Sequence, residues 1–302
     1  MWRAVTAACI LLTLAAGCNK PEVTAPKKPA QETTLLIGLI PEQNIFDQVE
    51  RYRPLTGYLS KKAGVKIKLT VLSRYGNIID NFVSLGLDGA FFGSFTYTLA
   101  HAKLGVEVVA RPEKNDGTST YHGLIFVRKD SGIRNMKDME GKRFVFVDKA
   151  TTAGYLLPLR YFGKYGITNY KTYLKESYFA GTHEDAIHDV LNGKADMGAA
   201  KNTIYNMLAK TDGRLAKELV VLEKSPEVPE NALAVRKDLD WSLRKKLKEA
   251  LLGMHNDPEG RDVLIGFGAR RFIETVDRDY MPVVKYAKEA GLDLKTYDYV
   301  NE

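Results

Sequence analysis

Cysteine is scarce in this 302-residue chain, which has only Cys9 and Cys18. Both lie within the first 18 residues, so the rest of the chain can form no disulfide and offers no thiol nucleophile or thiolate metal ligand. Long hydrophobic runs are missing too. The apolar stretch at residues 4–14 is interrupted by two threonines and is well short of the roughly 18 residues that span a bilayer. We therefore expect the chain beyond this stretch to be soluble.

Runs of like charge and catalytic motifs are also missing. The net charge of +7 is dispersed along the chain, which predicts lysines on solvated surfaces and gives no indication of nucleic-acid binding. There is no phosphate-binding P-loop, no dinucleotide-binding glycine pattern and no nucleophile elbow. His183 and His188 are five residues apart, whereas the zinc-protease pattern needs four. We predict no enzymatic activity, no cofactor and no metal; an enzyme remains an alternative without a motif.

The N-terminus has the layout of a secretory signal. Arg3 precedes the apolar stretch, which ends in the small residues Ala15-Ala16-Gly17 before Cys18. Cleavage directly before a cysteine resembles the lipobox of bacterial lipoproteins, which predicts a signal peptide over residues 1–17 and lipidation of Cys18. The alternative is a short membrane anchor with an incidental cysteine. Residues 18–33 are polar and carry three prolines, so after the lipidated cysteine they are predicted to be a flexible tether.

Hydrophobic periodicity from residue 35 onward predicts a β-α-β-α-β order that then repeats. Two such units favour an α/β protein with two lobes and a cleft between them. In the first unit we predict strands over 35–40, 66–71 and 89–93, with helices over 46–63 and 75–85. In the rest of the chain we predict strands over 123–127, 143–147 and 195–200, with helices over 153–165, 184–191, 239–254 and 280–290.

Two loops could carry chemistry. Thr151 and Thr152 follow a predicted strand and open a helix, where hydroxyls and unpaired backbone N–H groups can bind a small oxyanion. Either threonine could equally be a plain helix N-cap. His183 follows a glycine turn and precedes another helix, so it could donate a hydrogen bond to an anion, and the anion would tune its charge. The alternative is a solvated loop histidine.

These residues and several short motifs together resemble the phosphate/phosphite/phosphonate-binding proteins of bacterial ABC importers. The resemblance extends from Leu36 to about Leu292, and its specificity lies in the order and spacing of the motifs rather than in any one of them. The motifs are Gly141-Lys142, Thr151-Thr152-Ala153-Gly154-Tyr155, Pro158, Ala180-Gly181-Thr182-His183, Asn192-Gly193-Lys194-Ala195-Asp196-Met197-Gly198, Lys224-Ser225-Pro226 with Val228-Pro229, and Arg271-Phe272-Ile273-Glu274.

The resemblance implies a type II periplasmic-binding-protein fold, in which two α/β lobes close around a ligand by rotation about a two-segment hinge. Lobe I would comprise residues 34–122 and 231–302, and lobe II residues 123–230. The protein would be a monomeric, lipid-anchored solute-binding protein that faces the periplasm or cell exterior and delivers a small oxyanion to an ABC permease.

Site residues are implied one by one. Thr151, Thr152 and Ala153 match the family's oxyanion-binding loop, and His183 matches its histidine. Three further positions match the cleft, although ordinary packing is the alternative for both tyrosines. They are Tyr75, which opens the second predicted helix, Ser94, in the loop after the third predicted strand, and Tyr121, on the hinge side.

Departures from the family pattern restrict the ligand. Ala153 stands where a serine is typical. The two carboxylates that neutralise the ammonium of aminoalkyl phosphonates are replaced by Ile204 and Asn231, with Glu230 one position off. Because burying an ammonium without a paired carboxylate is costly, we predict that 2-aminoethylphosphonate is a poor ligand. Phosphate, phosphite or an alkylphosphonate such as methylphosphonate fits better. The alternatives are an extracytoplasmic sensor that feeds a signalling partner, or a binder of another ligand such as a sulfonate or a vitamin precursor.

Overall fold

The folded part of the chain begins where the polar N-terminal segment gives way to the apolar run at residue 35. The computed structural model describes residues 1–2 and 33–301. Cys18, the rest of the predicted signal peptide and most of the tether lie outside the described residues. In the part of the chain that is described, no helix is long and apolar enough to cross a membrane.

Thirteen strands occur among the described residues, most of them four to seven residues long. They are β1 (Thr34–Leu39), β2 (Lys66–Val71), β3 (Gly89–Phe92), β4 (Glu107–Glu113), β5 (Thr120–Tyr121), β6 (Gly123–Arg128), β7 (Arg143–Phe146), β8 (Glu176–Phe179), β9 (Met197–Lys201), β10 (Leu219–Lys224), β11 (Val228–Pro229), β12 (Ala232–Val235) and β13 (Arg271–Glu274).

The α-helices alternate with the strands from β1 to β3 in the order that the sequence predicts, and strict alternation ends later in the chain. They are α1 (Ile45–Ala63), α2 (Asn77–Ser84), α3 (Ser94–Leu104), α4 (Leu157–Lys164), α5 (Tyr170–Tyr173), α6 (His183–Leu191), α7 (Asn202–Thr211), α8 (Arg214–Glu218), α9 (Trp241–Gly253), α10 (Pro258–Phe267) and α11 (Met281–Glu289). A turn of π-helix, Thr152–Leu156, runs directly into α4.

The strands form two mixed sheets, each of which is the centre of one lobe. The first has the order β13-β4-β12-β3-β1-β2, with β1 parallel to β2 and β3, and β12 antiparallel to β3 and β4. The second has the order β10-β6-β9-β7-β8, with β7 parallel to both of its neighbours. Buried apolar residues cover both sheets. The predicted two-lobed α/β class is confirmed. We call the lobe around the six-stranded sheet the first lobe, and the other the second lobe.

A separate two-stranded ribbon lies where the chain passes between the lobes. In it β5 pairs antiparallel with β11, with Val228 opposite Tyr121 and Pro229 opposite Thr120. This ribbon corresponds to the two-segment hinge that the family resemblance implies. Tyr121, one of the predicted site residues, lies in this ribbon.

The structure also contains elements that the sequence did not predict. Helix α3 begins at Ser94, so Ser94 opens a helix and does not lie in a loop. The first seven residues of α3 are all buried, and the helix therefore lacks the apolar and polar faces by which a helix is recognised in a sequence. Gly105 ends it in the left-handed conformation, with φ of 71°. Helices α5, α7, α8 and α10 were missed as well.

Candidate functional site

Four helix starts meet the cleft between the lobes. Ser94 is the first residue of α3, Thr152 is the first residue of the π-helical turn before α4, and His183 is the first residue of α6. Tyr75 lies two residues before α2. The first N–H groups of a helix have no partner within it and its N-terminus is partially positive, so convergent helix starts favour an anion.

The two threonines of the oxyanion loop have different tasks. Thr151 occupies the N-cap position but makes no cap hydrogen bond; its hydroxyl donates to the carbonyl of Asp148 at 2.6 Å. The hydroxyl of Thr152 instead accepts a hydrogen bond of 2.8 Å from the N–H of Phe95, across the cleft. Neither threonine is therefore a plain side-chain cap. The proton of the Thr152 hydroxyl is still available for donation.

Ala153 packs against the start of β6. It is buried and lies close to Gly123 at the start of β6, where a Cβ on the glycine would be 3.2 Å from the Ala153 Cα. Gly154 is equally constrained, because a Cβ there would be 2.4 Å from the side chain of Val147. The loop backbone is thus pressed against two strands of the second lobe, which fixes the direction of its N–H groups.

Tyr75 contributes a buried hydroxyl to the region. The residue is 2 % exposed, and among the described residues no group hydrogen-bonds to its Oη. Burial raises its pKa well above the usual value, so the hydroxyl is a proton donor at neutral pH. A buried hydroxyl without a partner among the described residues costs free energy, and its proton remains available for a hydrogen bond.

His183 is buried, which excludes a solvated loop histidine. Its ring packs edge-on against Tyr75 with centroids 5.8 Å apart. Burial lowers the pKa of His183 to about 3, so the imidazole is neutral at pH 7 and its charge does not attract the anion. Nδ1 lies 3.3 Å from the backbone nitrogen of Lys201 and accepts from that N–H. The neutral ring therefore carries its proton on Nε2, which can donate.

Tyr121 and Ser94 lie at the hinge end of the same space. Tyr121 is 3 % exposed, and its hydroxyl interacts with the side chains of Thr152 and Ser94. The Ser94 hydroxyl donates to the carbonyl of Pro229 in β11. The structure thus brings Tyr121, Ser94 and Thr152 together, and Tyr75 together with His183.

Lys201, at the end of β9, is a buried charged residue of this region that the sequence analysis did not single out. It is only 3 % exposed, in contrast to the expectation that the lysines are on solvated surfaces. Its Nζ donates to Glu42 Oε1 at 3.0 Å, to Asn231 Oδ1 at 3.1 Å and to Glu230 Oε1. It also lies 4.5 Å from the ring centroid of Tyr121.

Charges in this cluster stabilise one another. Burial alone would raise the pKa of Glu42, but the positive charges of Lys201 and Arg51 outweigh burial and lower the pKa to about 2. Burial would lower the pKa of Lys201, and the carboxylates of Glu230 and Glu42 reverse that effect and raise the pKa above its usual value. At neutral pH the cluster therefore contains a buried ammonium that faces the ionised carboxylate of Glu42.

Hydrogen bonds cross the cleft directly. Besides the bond between Phe95 and Thr152, the Thr96 hydroxyl donates to the carbonyl of Ala150 at 2.9 Å. The His183 N–H donates to the carbonyl of Glu42 at 3.2 Å. The two lobes are therefore in contact on both sides of the candidate site. No group of residues that could hold a metal ion occurs in the described part of the chain.

Comparison with known proteins gives this arrangement a family. A family model described as "ABC transporter, phosphonate, periplasmic substrate-binding protein" matches residues 37–280. The phosphate-import protein PhnD of Mycolicibacterium smegmatis is 28 % identical over 257 residues, which cover 81 % of this chain and 79 % of the relative. The phosphonates-binding periplasmic protein of Escherichia coli is 28 % identical over 262 residues, covering 85 % and 77 % of the two chains.

Solved structures agree on the fold. A binding protein component of an ABC phosphonate transporter from Pseudomonas aeruginosa superposes with a TM-score of 0.80 at 22 % identity, covering 86 % of this chain and 87 % of the other. PhnD1 from Prochlorococcus marinus, solved in complex with methylphosphonate, gives 0.76 at 23 % identity and covers 86 % and 98 %. The predicted type II periplasmic-binding-protein fold is confirmed, as is the prediction of a non-enzymatic transport component. This chain belongs to the family of periplasmic substrate-binding proteins of phosphonate ABC transporters.

Proposed function

We propose that this protein captures a small phosphorus oxyanion, namely phosphate, phosphite or a simple alkylphosphonate, and presents it to an ABC permease. The observation that carries the proposal is the buried hydroxyl of Tyr75, which has no hydrogen-bond partner among the described residues and lies beside the neutral imidazole of His183. The names of the two curated relatives, a phosphate importer and a phosphonate binder, support the same ligand class.

The proposed contacts are donors to oxygen atoms. Tyr75 Oη, His183 Nε2 and the hydroxyl of Thr152 would donate, together with the N–H groups that open α3 and the turn before α4. Ser94 and Tyr121 would close the hinge side, while Thr151 and Ala153 would shape the loop backbone. In the proposed cycle the lobes, at residues 34–122 with 231–302 and at 123–230, rotate about the ribbon of β5 and β11, and the closed form docks on the permease.

The proposal includes a location for the protein at the membrane. Signal cleavage before Cys18 and lipidation of that cysteine would hold a monomeric binder at the membrane through the tether of residues 18–33. Several alkyl chains give a stable anchor where a single chain is marginal. The layout of residues 3–18 in the sequence supports this part. Mass spectrometry of the protein expressed in a bacterium tests it, because a Cys18→Ala variant should lose the lipid mass.

A thermal-shift panel tests the ligand class. The purified chain is melted with phosphate, phosphite, methylphosphonate and, as a comparison anion, sulfate. A ligand present at one hundred times its Kd should add about 2.7 kcal/mol to the free energy of unfolding. We expect a shift with at least one of the three phosphorus compounds. No shift with any of them, or a shift with sulfate alone, would contradict the proposal.

A further inference from the structure

The cluster around Lys201 has the composition of a binding site for an ammonium group. The three protons of Nζ face three oxygen atoms, from Glu42, Glu230 and Asn231, and the ring of Tyr121 covers the group from the side. All of these residues are at most 7 % exposed. Two carboxylates, an amide oxygen and an aromatic face are the groups that recognise a primary ammonium. We call Glu42, Glu230, Asn231 and Tyr121 the ammonium cradle.

The cradle adjoins the oxyanion-binding residues directly. Tyr121 belongs to both, because its ring faces Lys201 while its hydroxyl interacts with Thr152 and Ser94. His183 is the second link, since its Nδ1 accepts from the backbone N–H of Lys201. The cleft therefore has an end suited to an anion and, next to it, an end suited to a cation. The chain fills the cation end with its own side chain.

We propose that Lys201 is a specificity-determining residue: its ammonium occupies the cradle, so the cleft accepts oxyanions without an amine and rejects phosphonates that carry one. This inference rests on the proposed function, and it adds the residue that sets the ligand class. The amine of an incoming aminoalkyl phosphonate would have to displace Lys201 or stay beside its positive charge, and each option is unfavourable. Selection against the amine thus comes from occupancy of two carboxylates that are present, Glu42 and Glu230, and not from the absence of carboxylates on which the sequence argument depends.

A space for a small amine exists beside the cradle. A cavity of about 210 Å³ is lined by Glu42, Lys201, Glu230 and Asn231, and it continues past Arg51 and Lys114. Shortening Lys201 to alanine removes three methylene groups and the nitrogen, which together have the shape of propylammonium. The cavity gives such a molecule a way to the vacated carboxylates.

The first experiment removes the side chain and returns it as a free molecule. Lys201→Ala is melted with and without propylammonium, and propanol serves as the uncharged comparison. We expect propylammonium, but not propanol, to raise the Tm of Lys201→Ala or, if that variant is unfolded alone, to restore its native near-ultraviolet circular dichroism. Lys201→Met is the matched control, because it loses the same charge but keeps the cradle filled, and it should not respond. Absence of a propylammonium effect on Lys201→Ala would overturn the proposal.

The second experiment compares 2-aminoethylphosphonate with propylphosphonate, which has a methyl group in place of the ammonium. Wild type should bind propylphosphonate at least about tenfold more tightly, a difference of about 1.4 kcal/mol, and Lys201→Ala should reverse that preference. Equal binding of both ligands by wild type would refute the selection role even if Lys201→Ala does not fold. The propylammonium experiment uses no phosphorus compound. It therefore tests whether the cradle binds an ammonium even if the protein proves not to bind a phosphorus oxyanion.

Discussion

The two ends of the cleft differ in how their buried polar groups are satisfied. At the cradle end, the ammonium of Lys201 has three oxygen partners and an aromatic face. At the oxyanion end, the hydroxyl of Tyr75 has no partner among the described residues, and His183 beside it is neutral. A buried cluster in which every charge is paired is costly to break, whereas an unsatisfied donor lowers the stability of the folded chain.

This difference indicates which end of the cleft has donors available for a ligand. The oxyanion end has donors left over, and a ligand that accepts their hydrogen bonds recovers the free energy that their burial costs. The cradle end has no such surplus, because the chain has supplied the ion itself. Mutations at the cradle should therefore act mainly on folding, and mutations at the oxyanion end mainly on binding.

The largest effect is expected from Lys201→Met. Loss of the ammonium leaves the buried carboxylates of Glu42 and Glu230 with their longer ionic contacts to Arg51, at 3.8 Å, and to Lys114, at 3.9 Å. Removing the central partner of a buried ion cluster in this way costs about 3–5 kcal/mol. Chemical denaturation measures the free energy of unfolding. The triple variant Lys201→Met, Glu42→Gln, Glu230→Gln is the control. It should recover much of the loss because the two buried carboxylates are gone, although Arg51 and Lys114 lose their weaker partners. A triple variant as unstable as the single one would show that packing, not pairing, matters here.

The second effect is a pH dependence that comes from His183. Its folded pKa of about 3 lies below the 6.5 of the unfolded chain, so between these values the unfolded chain binds one more proton. Stability is therefore present above pH 6.5 and is lost as the pH falls, by about 1.4 kcal/mol per pH unit. Glu42, with a folded pKa of about 2 against 4.5, adds a loss of the same sign below pH 4.5.

The matched variant for this prediction is His183→Gln, which keeps a polar side chain but cannot titrate. The measured quantity is the difference in unfolding free energy between wild type and variant from pH 6.5 to 4.5. Burial raises the pKa of Asp148 to about 6, which has the opposite sign, but Asp148 is present in both proteins and cancels in the difference. Parallel pH curves for the two proteins would mean that His183 is not held neutral by burial.

Much of the fold could be predicted from the sequence because its signals are local. The alternation at residues 66–71 and the apolar spacing at residues 46–63 correspond to β2 and α1 almost residue for residue. Helix α3 could not be predicted in the same way, because a helix start that is buried on all sides has no polar face to mark its period. The burial of α3 results from tertiary contacts, which the local sequence does not reveal.

The candidate site likewise has a part with local sequence signals and a part without them. The threonine loop and His183 are visible because each stands in a short motif at a helix start. The cradle is not, because Glu42 and Lys201 are 159 positions apart and no spacing rule connects them. The sequence indicated that Glu230 is one position away from the family's carboxylate. In the structure both Glu230 and Asn231 accept from Lys201 Nζ, so that one-residue shift belongs to an ion cluster that only the fold assembles.

The smallest effect on stability, and the sharpest on binding, is expected from Tyr75→Phe. The change removes an unpartnered buried hydroxyl, so the free energy of unfolding should stay within about 0.5 kcal/mol of wild type or rise. Binding of the phosphorus oxyanion should weaken by about 0.5–1.5 kcal/mol, the usual contribution of one hydrogen bond. Calorimetric titration and denaturation of the same preparation measure both quantities.

Tyr58→Phe is the control for that variant, with the opposite expected effects on stability and on ligand affinity. Tyr58 is also buried, but its hydroxyl donates to Asp257 Oδ2 at 3.2 Å, and both residues line a surface pocket of the first lobe separate from the cradle cavity. It should therefore lose about 1 kcal/mol of stability and leave ligand affinity unchanged. If Tyr75→Phe instead behaves like Tyr58→Phe, the Tyr75 hydroxyl has a structural partner in solution, and the contrast between the two ends of the cleft disappears.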